Sequence, residues 1–140
     1  MHNQIAALAT DTGHIVMWDV DALLADCRSQ PCRPVDTGRL IPRCWLTIDK
    51  VYAMTTDITA PILLFELPFD MLYIADGNHR LYRAAVEKAP QMNVIVIPQD
   101  VHLNYLFRSS PEVYRQVVEG LKDEGIFIRH IDDAHCNDTL

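Results

Sequence analysis

Residues 74–85 read Ile-Ala-Asp-Gly-Asn-His-Arg-Leu-Tyr-Arg-Ala-Ala, and this stretch indicates a strand that turns directly into a helix. The apolar strand ends at an acid and a glycine, and the pattern that follows predicts a helix from about Asn78 to Lys88. The first turn of a helix has backbone N–H groups without internal partners, and the helix dipole makes that end attractive to anions. We therefore expect a phosphate to bind where this helix begins.

The side chains at this turn add to the expected anion site. Gly77 allows a ligand to approach the backbone closely, and His79 and Arg80 supply further donors, with arginine able to bind two phosphate oxygens at once. Asp76 has two interpretations: it is the N-cap of the helix, or it holds Mg²⁺ through phosphate oxygens. The alternative for His79 and Arg80 is that they are simply solvated on the first turn.

The remaining elements alternate between apolar strands and short helices. The pattern predicts a hairpin or a strand entry over residues 4–18, an irregular segment over 28–43 and a helix over 101–107. Elsewhere it predicts helices over 20–27 and 47–57 and buried strands over 62–67, 71–75 and 93–97. The fold class expected from this order is α/β (α+β), with a small mixed sheet and flanking helices in one compact domain.

The C-terminal part is predicted to be a helix and a last strand. Ser109 and Glu112 have the spacing of a capping box, and Pro111 suits a first helical turn. The buried face of the helix is assigned to Val113, Val117, Val118 and Leu121. Residues 126–131 then read as an edge strand, and residues 132–140 as a polar tail.

Composition narrows the class of protein. The 140 residues carry a net charge of −7, with a sequence pI of about 5.2, and this acidic balance argues against broad contact with nucleic acid. No apolar run approaches the roughly 18 residues of a membrane span, and the first residues lack a basic signal-peptide region. We therefore expect a cytoplasmic protein with no membrane partner.

The four cysteines fit no zinc-site spacing, and we expect them to be ordinary reduced thiols with no metal bound. A site that includes His130 and His135 is the lesser alternative. The cysteines are Cys27, Cys32, Cys44 and Cys136.

The stretch DGNHRLYRAA resembles the glycine-to-arginine signature of the ParB/sulfiredoxin superfamily. The resemblance extends to MWDVDALL near the start, to IDKVYAM and DITAPILLFEL upstream of the signature, and to NVIVIP downstream of it. It covers roughly residues 14–107 and leaves residues 108–140 as a C-terminal helical and strand addition to a single domain over 1–140. It implies a ParB/sulfiredoxin-like fold that binds a nucleotide, ATP, ADP or CTP, with or without Mg²⁺.

Some residues of this chain match the functional residues of sulfiredoxins, and one important residue does not. Lys50 matches a lysine that contacts nucleotide phosphate in sulfiredoxins, and Gly77, His79 and Arg80 match their phosphate loop. Asn78 stands where sulfiredoxins have the catalytic cysteine. An amide cannot act as a thiolate nucleophile, so the sequence argues against sulfinic-acid reductase activity. Asn78 is retained as a phosphate-binding position of the loop.

Phosphotransfer or nucleotide hydrolysis is the function that the resemblance favours, because free-serine kinases of this fold have a similar loop. The candidate catalytic residues are Asp76, His79 and Glu66. Glu66 would serve as a base if it were buried in a cleft, and would otherwise face water at a sheet edge. Arg39 and Arg43, in the irregular segment, could close over a ligand or remain solvated.

Two other functions stay open. A ParB-like nuclease acting on DNA would need a basic groove around Lys50, Arg80 and Arg83, which the acidic composition disfavours. A binding or regulatory module with this fold but no catalysis would bind a protein partner through the C-terminal helix. The loss of the cysteine at Asn78 supports this last alternative.

Overall fold

Six strands and six α-helices make up the computed structural model, which describes residues 4–27 and 30–132. The strands are β1 (Ile5–Ala9), β2 (Ile15–Asp19), β3 (Arg33–Asp36), β4 (Ile62–Leu67), β5 (Met71–Asp76) and β6 (Gln91–Ile97). The helices are α1 (Val20–Asp26), α2 (Thr37–Leu40), α3 (Lys50–Ala53), α4 (Asn78–Val86), α5 (Gln99–His102) and α6 (Pro111–Leu121), and a 3₁₀ turn spans Leu103–Tyr105.

The strands form two sheets. β1 and β2 are an antiparallel hairpin, and the other four strands lie in the order β3-β6-β4-β5. β4 is parallel to β6, whereas the β3–β6 and β4–β5 pairs are antiparallel. This confirms the expected α/β class with a small mixed sheet in one domain.

The larger sheet is covered on both faces, which explains why β4 reads as a continuous apolar run. Leu63, Phe65 and Leu67 of β4 pack toward the β1–β2 hairpin, α1 and α6, around the buried ring of Trp18. The alternate side chains of β4 pack instead against α2 and α4. A strand between two apolar layers needs no polar face, so its sequence does not alternate.

The structure confirms several of the predicted strands and helices. The hairpin, α1, β4, β5, α4 and β6 lie where the sequence predicts them, within a few residues. The helix predicted over 47–57 is wrong in length, because α3 covers only Lys50–Ala53. The hydroxyls of Thr55 and Thr56 donate to the carbonyls of Tyr52 and Ala53, at 2.7 and 2.6 Å, and these bonds accompany the end of the helix.

Three other predictions are wrong. Residues 28–43 are not all irregular, because β3 and α2 lie there, with Pro34 tolerated on an edge strand. Residues 126–131 form no strand and make only a single antiparallel bridge, between Leu72 and Ile128. The N-cap of α6 is Ser110, whose hydroxyl accepts from the Val113 amide at 3.1 Å, while Ser109 instead accepts from the Met17 amide at 3.0 Å.

The buried residues of α6 are Tyr114, Val117 and Val118, with Val113 and Leu121 half-buried beside them. Residues 133–140 of the predicted polar tail, with His135 and Cys136, lie outside the described residues. None of the helices in the described part of the chain combines the length and apolarity that a membrane span requires.

Candidate anion site at the start of helix α4

The turn between β5 and α4 is built around Gly77. This residue is the N-cap of α4 and has φ 105° and ψ 13°, a backbone conformation that side chains disfavour. A Cβ here would lie 3.1 Å from Nη2 of Arg80 and 3.2 Å from Cγ1 of Ile62. Asp76 is therefore not the N-cap, as one interpretation had it, but the last residue of β5. Among the described residues no side chain caps α4, so its first N–H groups remain available to a ligand.

Arg80 and Asp76 brace this turn. Nη2 of Arg80 donates to the Pro61 carbonyl at 2.7 Å and to Oδ2 of Asp76 at 3.3 Å. Oδ1 of Asp76 accepts from the Gln4 side-chain amide at 2.6 Å. Both carboxylate oxygens thus have partners within the chain, and Nη2 of Arg80 points toward the start of β4. The Nε of Arg80 is buried and has no hydrogen-bond partner among the described residues.

His79 is held in one orientation by the segment that leads into α3. The Asp49 backbone N–H donates to Nε2 of His79 at 3.1 Å, so in the neutral ring the proton is on Nδ1. The ring packs edge-on against Tyr52, with centroids 4.9 Å apart. Nδ1–H is therefore the donor that His79 can offer to a ligand.

Lys50 follows Asp49 directly, so the structure brings the segment carrying Lys50 next to His79. The Asp49 carboxylate caps α3 by accepting from the amides of Val51 and Tyr52, both at 3.0 Å. Lys50 itself is exposed at the first position of that short helix. One hydrogen bond therefore joins the segment that carries Lys50 to His79 of the loop, and the contact of Lys50 with phosphate stays a prediction.

The Asn78 side chain turns back toward β5 and donates to the Ile74 carbonyl at 3.2 Å. Asn78 therefore contributes its backbone N–H to the start of α4, while its side-chain amide stabilises the turn. Tyr82, on the same helix, packs against Trp45 with ring centroids 5.7 Å apart.

Asp57 is a residue that sequence reasoning missed. It is exposed, and its Oδ1 accepts from the hydroxyl and amide of Thr59 at 2.6 and 2.9 Å. These bonds, with the positive charges of Arg80 and Arg83, lower the pKa of Asp57 below its ordinary 3.8. Arg83 also donates to the Thr56 carbonyl and pairs with Glu87 at 2.9 Å. An ionised carboxylate thus lies within the field of two guanidinium groups on α4.

The other sequence candidates are not brought to this turn. Glu66 is exposed and lies opposite Leu72 in the β4–β5 pair. Asp76 lies opposite Leu63, so the two carboxylates are at opposite ends of this pair of strands. Arg39 and Arg43 line a separate cavity, with residues 122–130 as its other wall. In the described part of the chain, no three His, Cys, Asp or Glu side chains are grouped to hold a metal ion.

Comparison with known proteins gives no relative: no family model, curated protein or solved structure matches this chain.

Proposed function

We propose that this protein binds the phosphate groups of a nucleotide where α4 begins, and that it transfers or hydrolyses the terminal phosphate. The observation that carries the proposal is the uncapped start of α4 at Gly77. Three consecutive N–H groups, those of Asn78, His79 and Arg80, lack intrahelical acceptors there, and the dipole adds positive potential at the same point.

The charged groups around the turn suit a phosphate with a divalent cation. His79 offers Nδ1–H, and Lys50 supplies a charge from the neighbouring segment. Asp57 is the carboxylate that would share Mg²⁺ with phosphate oxygens, since Mg²⁺ is commonly held by one or two carboxylates and a substrate phosphate. Asp76 is less suited to this role because Gln4 and Arg80 engage both of its oxygens.

A non-catalytic nucleotide-binding module is the second candidate. It is favoured by the same engagement of Asp76 and by the position of exposed Glu66 at the other end of the strand pair. Neither carboxylate is then a free general base beside the loop, as phosphoryl transfer by base catalysis would require.

The test is a titration of the ¹⁵N-labelled protein with ATP, ADP and CTP, each with Mg²⁺, followed by amide chemical shifts. We expect the amides of Asn78, His79 and Arg80 to move together and to saturate. Lys50→Ala should weaken binding, whereas Arg115→Ala, an exposed arginine on α6, should leave it unchanged. Absence of shifts at these three amides with every nucleotide would refute the proposal.

Two further measurements separate the candidates. Ligand at a hundred times its Kd should stabilise the fold by about 2.7 kcal/mol, which a thermal melt detects. Release of phosphate from the bound nucleotide would establish catalysis, and saturable binding without turnover in the presence of candidate acceptors would favour the module. A duplex DNA arm tests the nuclease alternative, which predicts salt-dependent binding.

A further inference from the structure

A cavity of about 1020 Å³ opens between the segment from Asp36 to Arg43 and the segment from Lys122 to His130. These two stretches are far apart in sequence and are joined here by a backbone hydrogen bond, in which the Cys44 amide donates to the Gly125 carbonyl at 3.0 Å. The cavity's volume is at the upper end of what small-molecule sites occupy.

Cationic side chains are concentrated in this cavity. Among the described residues, it is lined by four of the chain's twelve lysines and arginines and by two acids, which are Asp36 and Asp123. The described part of the lining thus carries a formal charge of about +2 in a protein whose net charge is −7. Like charges gathered in a concave surface repel one another, so an anionic ligand would reduce the electrostatic repulsion among these side chains.

Arg39 is the most firmly placed of these cations. Its side chain is only 13% exposed, lies 4.0 Å from the Asp36 carboxylate, and donates through Nη1 to the His130 carbonyl at 2.8 Å. His130 has φ 62°, in the left-handed region that histidine adopts more readily than most residues other than glycine. The rim of the cavity is therefore held by a half-buried guanidinium that is hydrogen-bonded to the backbone of the opposite segment.

Arg43 lies flat along the opposite segment. The site of a Cβ on Gly125 is 3.3 Å from its Cβ and 3.4 Å from its Nε, and Gly125 has φ 76°. Any larger residue than glycine would push this arginine away. The guanidinium of Arg43 makes no hydrogen bond or ion pair with the described residues, so its donors remain available.

Arg129 and Lys122 complete the set. Arg129 makes one long contact, from Nη2 to the Lys122 carbonyl at 3.5 Å, and is otherwise exposed. Lys122 is held by Glu119 at 2.7 Å and lies 5.0 Å from the Phe69 ring centroid. Among the described residues of the lining, Arg43 and Arg129 therefore have guanidinium donors to spare, and each can bind a phosphate through two parallel hydrogen bonds.

We propose that this cavity binds a small organic molecule carrying at least two phosphate groups. Arg43 and Arg129 each bind one phosphate, Arg39 adds positive potential at the rim, and Ile41, Phe127 and Ile128 offer apolar surface to the organic part. A concave site favours a small molecule over a nucleic-acid backbone. This site is distinct from the start of α4, since none of the described residues 74–86 lines the cavity.

The test uses inorganic pyrophosphate as the probe, with calorimetry for affinity and amide shifts for location. We expect Gly125 and Arg129 amides to move. Arg43→Ala and Arg129→Ala should each lose about tenfold or more in affinity, the loss of a charge-assisted pair. Arg43→Lys should fall between wild type and Arg43→Ala because it keeps the charge without the bidentate geometry. Arg115→Ala, which lies outside both sites, should bind as wild type does.

Three results would overturn this inference. Affinity unchanged within about twofold in both arginine variants would exclude the cavity. Shifts confined to Asn78, His79 and Arg80 would place the anion at α4 instead. Citrate binding as tightly as pyrophosphate would overturn the assignment of phosphate. Because Lys50→Ala reports on the α4 site and Arg43→Ala on the cavity, failure of one proposal is distinguishable from failure of the other.

Discussion

As the pH is lowered, His102 should reduce the stability of this protein well before the protein's carboxylates become protonated. Its ring is fully buried, and it accepts at Nδ1 from the Trp18 indole N–H at 3.2 Å. Its Nε2 lies 2.7 Å from the Glu66 carbonyl, so Nε2 carries the ring proton. A second proton would have to sit on Nδ1, facing the indole N–H. The buried site therefore accepts only the neutral ring.

The magnitude follows from the pKa. Burial lowers the pKa of His102 from its ordinary 6.5 to about 4, against the opposing effects of the Glu66 carbonyl and the Asp100 charge. Because the folded pKa lies below the unfolded one, the unfolded chain takes up the proton first as pH falls. The contribution of His102 to the free energy of unfolding is complete above pH 6.5 and declines between pH 6.5 and pH 4. The total loss is about 3 kcal/mol, of which about 2 kcal/mol is lost between pH 7 and 5.

The assay is urea unfolding at pH 7, 6 and 5, followed by tryptophan fluorescence, since Trp18 contacts the His102 ring. The variant His102→Gln keeps one acceptor and one donor but cannot take up a proton. It should be less stable at pH 7, yet should lose about 2 kcal/mol less than wild type between pH 7 and 5. His14→Gln, at an exposed position, is the matched control and should follow the wild type. An equal loss in His102→Gln and wild type would refute the reasoning.

The other predictions concern caps and the Gly77 turn. Gly77→Ala should cost about 1–3 kcal/mol in thermal unfolding and weaken nucleotide binding, whereas Gly38→Ala, with no atom within 4 Å of its new Cβ, should be neutral or stabilising. Ser110→Ala should cost about 1 kcal/mol in urea unfolding, because the amide of the third residue of α6 loses its acceptor; an unchanged midpoint would contradict this cap. Asp49→Ala should lower the free energy of unfolding by about 1 kcal/mol, because α3 loses its N-cap. The backbone N–H of residue 49 still donates to His79 in this variant, so the ¹⁵N shifts of the His79 ring should be unchanged.

The sequence predicts the middle of the fold well because local signals there agree. Residues 62–86 combine a continuous apolar strand, a turn at Pro68, a return strand and a glycine before a helix, and each signal spans only a few residues. β3 was missed because its pairing partner, β6, begins 55 residues later, at Gln91 opposite Asp36. Nothing local distinguishes such a short edge strand from a loop.

In the candidate site, too, local features were predicted from the sequence and long-range contacts were not. Gly77 and the start of α4 were found from sequence, but the partners of Arg80 and Asp76 were not. Pro61 and Gln4 lie 19 and 72 residues away from the side chains they contact, and no spacing rule links them. The cationic cavity was harder still to predict, because its two walls share no motif and meet only in the folded chain.

The place of β6 in the sheet has a consequence for biosynthesis. β6 lies between β3 and β4, although it follows both of them in the chain. At about 5–20 residues per second, the ribosome adds the 21 residues that separate the end of β5 from the end of β6 in about 1–4 s. During that interval β4, which is apolar on both faces, presents one unpaired edge to the solvent or to a neighbouring nascent chain. Folding of this domain should therefore be most exposed to aggregation, and most helped by chaperones, just before residue 97 emerges.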